Sequence, residues 1–75
     1  MTMFFRTALT GGGSDALDGI DGAPLAEGDA AIIVRSGGDI FFYYLNATSG
    51  DAENSPQVVA PDINAGNKRW ELVTV

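Results

Sequence analysis

Apolar residues fall in short runs along the chain, separated by Gly, Pro, Asn, Asp and Ser. The clearest pattern lies at residues 30–46, where Ala-Ala-Ile-Ile-Val and Ile-Phe-Phe-Tyr-Tyr-Leu flank a turn containing Ser36, Gly37, Gly38 and Asp39. Two β-favouring runs around residues that tolerate positive φ predict a β-hairpin. Its second run is apolar or aromatic at every position from 40 to 45. Period two puts Ile40, Phe42 and Tyr44 on one side and Phe41, Tyr43 and Leu45 on the other. A strand with one wet face would alternate with polar residues instead. This one calls for cover on both faces, from the chain itself or from another subunit.

The remaining runs are weaker. Met3, Phe4, Phe5, Ala8 and Leu9 form a short strand that stops at Gly11, Gly12 and Gly13, a flexible joint or a place of close backbone approach. Residues 14–29 are acidic and Gly-rich; Ser14 or Asp15 caps at most one helical turn, which Gly19 and Gly22 end. Leu17, Ile20 and Leu25 tether this loop to the core. After a polar loop at 46–55, Pro56 opens a short strand over 57–60, at a position where a missing N–H is tolerated. A loop containing Asn64, Gly66 and Asn67 leads to a closing strand over 69–75, which alternates so that Trp70 and Leu72 point inward.

These runs predict one all-β domain over residues 1–75, a small antiparallel barrel, roll or meander of about five short strands built on the central hairpin. The expected core is Ile32, Val34, Ile40, Phe42, Val59, Trp70 and Leu72. Phe41, Tyr43 and Tyr44 are left as candidates for a subunit interface or a glycan-facing platform, because amphipathic rings offer an apolar face and a polar tip. Packing within the domain competes with both uses.

Composition narrows the chemistry. A chain of 75 residues holds one small core, and with no Cys it has no disulfide to staple it. Without His or Cys, a structural zinc site and the usual Ser–His or Cys–His nucleophiles are excluded. The net charge of −6 and pI near 4.1 argue against a nucleic-acid groove or a basic membrane-binding patch, since only Arg6, Arg35, Lys68 and Arg69 are basic. No apolar stretch is long enough to span a bilayer, and the N-terminus lacks the pattern of a signal peptide. Asp15, Asp18, Asp21, Glu27 and Asp29 invite a calcium or glycosidase reading. Their spacing fits no EF-hand, however, and so short a chain encloses no substrate cleft, so a plain acidic loop is expected. No enzyme, cofactor or metal is predicted.

From residue 39 onward a sequence of motifs stands in order: an aromatic strand ending at Tyr44, an Asn46-Ala47-Thr48-Ser49 turn, a Val58-Val59-Ala60-Pro61 strand, Gly66 in a loop, and a closing Arg69-Trp70-Glu71-Leu72. This order resembles a small β module of bacteriophage tail fibres and tail spikes, over residues 29–74. The resemblance implies a structural, joining or receptor-facing role beside larger fibre parts. Its implied partners are other tail proteins or the chain itself as a homotrimer, and a glycan in the receptor-facing case. It places the protein in the virion tail, or in the bacterial cytoplasm before assembly. No catalytic residue of the family maps onto this chain.

Overall fold

The computed structural model describes residues 2–73. The chain is all-β: β1 (Met3–Arg6), β2 (Ala30–Val34), β3 (Ile40–Asn46), β4 (Val58–Val59) and β5 (Arg69–Leu72) form one sheet in the spatial order β1-β2-β3-β5-β4. The predicted hairpin is β2–β3, with Val34 opposite Ile40 and Ala30 opposite Tyr44. Its turn closes through Arg35 N–H to the Asp39 carbonyl at 2.9 Å and Gly38 N–H to the Arg35 carbonyl at 2.9 Å. Gly38 sits there at φ 95°, a conformation that a Cβ would oppose. Of the strand predicted over 69–75, the ladder runs from Arg69 to Leu72, and Thr74 and Val75 lie outside the described residues.

Of the predicted barrel, roll or meander, the sheet takes an open form. It is mixed rather than antiparallel, which corrects the prediction, because β1 runs parallel to β2. A parallel neighbour requires the chain to cross back over the sheet, usually as a helix. Here the crossover is the acidic segment between β1 and β2, whose only regular element is a 3₁₀ turn at Leu17–Gly19. That turn begins at Ala16 with no side-chain cap, so neither Ser14 nor Asp15 caps it. The Asp15 carbonyl instead accepts the N–H groups of Thr7 (3.0 Å) and Ala8 (3.1 Å), and Ala8 bridges Ala16.

The crossover decides which face of the sheet is inside. Leu9, Leu17, Ile20 and Leu25 pack on Ala31, Ile33, Tyr43, Leu45, Val59 and Trp70, with Phe4, Phe41, Ala47 and Leu72 around them. Val59 and Trp70 are therefore core residues, and Leu72 packs against the core. Val34, Ile40 and Phe42, expected inside, are exposed on the other face, with Ile32 half-buried beside them. Of the candidates for an interface or glycan platform, Tyr43 is buried and Phe41 lies half-buried against the core, so packing within the domain takes both. Period two shows which residues share a face. In a strand without polar positions, only the covering segment determines which face is dry.

Candidate functional site

The acidic crossover is a set of backbone clamps. Asp29 Oδ1 accepts the Thr2 N–H and its Oδ2 accepts the Ala26 N–H, both at 2.9 Å, tying the start of β1 to the start of β2. Asp18, buried like Asp29, accepts the Gly12 N–H at 2.9 Å, and a Cβ at Gly19 would run into the Gly13 carbonyl, so the triple glycine is a place of close backbone approach. Glu27 Oε1 takes the Ala47 N–H at 2.8 Å. Asp21 Oδ1 takes the Ala23 N–H and the Asn64 amide, which hold its carboxyl below the usual carboxylate range. A charged acceptor for an otherwise orphaned N–H is the bond type that makes a loop without helix or strand hold its shape. The sequence predicts only a plain acidic loop here; an Asp two or three residues from a turn N–H is the signal that marks such clamps.

Two of the four bases, Lys68 and Arg69, are used in the same way, while Arg35 pairs with Asp39 across the hairpin turn at 3.8 Å. Lys68 Nζ donates to the carbonyls of Gly22 (2.6 Å) and Ala23 (3.2 Å), and Arg69 donates to those of Asp51, Gly66 and Lys68. Among the described residues, no group of three or more acidic side chains converges as a metal site. Two open clefts of about 310 and 380 Å³ lie around residues 7–16. The first is lined by Thr7, Thr10, Arg35, Ser36 and Ser55, the second by Thr10, Ser14, Asp15 and neighbouring glycines. The first holds no carboxylate; in the second Ser14 Oγ donates to the adjacent Asp15 Oδ1 at 3.3 Å, an exposed contact between chain neighbours.

Comparison with known proteins gives no match to a family model, to a curated protein or to a solved structure. The geometry alone therefore selects the site.

What stands out is the outer face of the sheet. Register puts Phe5 beside Ile32 and Ile32 beside Phe42, and the Val73 N–H bonds the Phe42 carbonyl at 2.8 Å, so one apolar row crosses the sheet. Val34 and Ile40 form a pair on one side of it. On the other, Met3, Ala30, Tyr44, Glu71 and Val58 align as a second row. Met3, Phe5, Val34, Ile40, Phe42, Tyr44 and Val73 are each between 41 and 65% exposed. Scattered exposed apolar residues are ordinary, whereas a contiguous set on a flat face marks an interaction surface.

One polar network borders this face. Tyr44 OH donates to Glu71 Oε1 at 2.7 Å, and Ser49 Oγ donates to Glu71 Oε2 at 2.6 Å. The Ser49 bond, then the Tyr44 bond, hold the Glu71 carboxyl below its usual range, and the same carboxylate pushes the Tyr44 hydroxyl up. On the inner side, Tyr43 OH donates to the Pro56 carbonyl at 2.6 Å, and burial pushes that hydroxyl up to about 12. Of the three aromatics named as interface or glycan candidates, only Tyr44 reaches the exposed face; Phe42 and Ile40, read as core, take the places beside it.

Proposed function

We propose that this chain is a non-catalytic structural module of a phage or prophage tail appendage, a fibre or spike, and that it joins its neighbours through the outer face of its sheet. The exposed apolar face carries the reading. A sheet can leave one face in water when that face is polar, but both faces of β3 are apolar and the crossover covers only one. Covering the other in an assembly supplies what a chain without disulfides lacks. The order of motifs from Tyr44 to Leu72 supports placing that assembly in a tail. The absence of His and Cys from the sequence and the use of the acids as backbone clamps support a role without catalysis.

The test is mass spectrometry of tail-like particles purified from cells that carry the gene. Recovery of the chain in fixed ratio to other particle proteins is the expected result. Its presence only as free protein in the cleared lysate would overturn the assignment. A receptor-facing role would use Tyr44, whose ring is exposed, although its hydroxyl is already bonded to Glu71. Saturable binding on a glycan array, lost in Tyr44→Ala, is the result that would favour that second reading.

A further inference from the structure

We infer that the outer face is a homotypic docking surface, on which a second copy of this chain packs sheet against sheet. The inference rests on the assembly reading above and names its partner.

Area comes first. Three of the seven exposed residues are aromatic, with about 150–250 Å² each, and together with Met3, Val34, Ile40 and Val73 at 42–57% exposure they present roughly 600–700 Å². That stands at the top of the range of about 300–600 Å² for the largest patch of a typical monomer, and it approaches the approximately 800 Å² that each partner buries in a standard interface. The face is also a regular array on a sheet rather than a pocket, so its natural complement is another sheet face. Two such faces interdigitate about 10 Å apart in an aligned packing. A second copy always presents a face of matching chemistry.

Charge distribution permits the contact despite a net charge of −6. In the apolar rows the only ionised group is Glu71, already bonded by Tyr44 and Ser49 at the border. The part of the acidic crossover that holds Leu17, Ile20 and Leu25 packs on the inner face, on the far side of each copy. Glu27 and Asp51, by contrast, lie near enough to Tyr44 to add to the effect of Glu71 in pushing its hydroxyl up, and so stand at the rim of the outer face. In a molecule measuring 31 × 28 × 24 Å, face-to-face packing holds those inner segments apart by more than the Debye length of about 8 Å at physiological salt, and the acids left at the rim are exposed to screening. Contact through the edges is less favoured. β4 has two residues, and on β1 the Phe5 carbonyl is taken by Arg6 Nη1 at 2.8 Å. Short strands and basic side chains are common devices for blunting an edge.

The experiment is light scattering behind size-exclusion chromatography over a concentration series. It compares the wild type with Ile40→Asp, Phe42→Asp and, as a control, Ile63→Asp, which alters an exposed apolar residue outside the sheet. The expected result is assembly of the wild type and of Ile63→Asp, with Ile40→Asp and Phe42→Asp folded, monomeric and weakened at least about 100-fold. Fold is read from far-ultraviolet circular dichroism. Hydroxyl-radical footprinting of the wild type gives a second readout that needs no variant: Phe5, Phe42 and Tyr44 become protected as concentration rises, while Ile63 does not. Assembly of the wild type with Phe42→Asp assembling equally, or with no protection of these rings, would overturn the face while leaving the assembly reading intact. A wild type monomeric at every concentration would overturn the second copy as partner. Absence of the chain from purified particles is the separate result that would remove the assembly reading itself.

Discussion

Trp70→Ala is the perturbation whose outcome the structure constrains most tightly. Trp70 is 0% exposed, pairs with Leu45 across β3–β5 and with Val59 across β4–β5, and meets the Phe4 ring edge to face at 5.9 Å. Truncating a buried Trp costs about 3–5 kcal/mol, and loss of the aromatic pair belongs at the upper end of that range. One term works the other way. The indole Nε1 is buried with no hydrogen-bond partner among the described residues, so its removal returns about 1 kcal/mol of desolvation cost. The net is about 3–4 kcal/mol, against the ~3–5 kcal/mol that a core of this size supplies. Trp70→Ala is therefore expected to be largely unfolded at 25 °C. Trp70→Phe keeps a ring against Phe4 and discards the unpartnered N–H, so its expected cost is only about 1 kcal/mol. Urea and thermal unfolding followed by circular dichroism measure both variants, since Trp70 is the only tryptophan and fluorescence disappears with it. Cooperative melting of Trp70→Ala near the wild-type midpoint would refute the reasoning. So would a Trp70→Phe as damaged as the alanine variant, because the N–H would then be the stabilising part.

Three further outcomes follow from the crossover and its surroundings. Asp29→Ala leaves the Thr2 and Ala26 N–H groups without their acceptor and is expected to cost about 2–3 kcal/mol in urea unfolding, whereas a surface variant such as Glu53→Ala should be neutral. A Cβ at Gly22 would run into the Asn64 carbonyl while the Gly22 N–H is bonded to the Ile63 carbonyl at 2.8 Å; Gly22→Ala is expected to destabilise by about 1–3 kcal/mol, read as a lowered thermal midpoint. The depressed Glu71 carboxyl contributes stability above the ordinary Glu range, near 4.3, and that stability is lost as pH falls through its lower folded value. Glu71→Gln should accordingly show a shallower loss of stability on acidification than the wild type, and an unchanged acid limb would argue against the Ser49–Glu71–Tyr44 network.

Local chemistry was enough to determine much of this protein. The positive-φ turn at Gly38 and the β-favouring runs beside it specify the β2–β3 hairpin within one stretch of chain, and the alternation Trp70-Glu71-Leu72 directs Trp70 inward. Three matters belonged to the tertiary structure. The parallel placement of β1 depends on how residues 7–29 cross the sheet, and a crossover without a helix leaves no periodic trace in the sequence. The clamping roles of Asp18, Asp29 and Lys68 depend on N–H and carbonyl groups that fold next to them, among them Thr2 for Asp29 and Gly22 for Lys68. The orientation of β3 depends on both. Ile40, Phe42 and Tyr44 are as apolar as Phe41, Tyr43 and Leu45, so hydrophobicity alone is symmetric between the faces. The symmetry is broken when Leu17, Ile20 and Leu25 pack on one of them, and the face they leave open becomes the surface available to a partner.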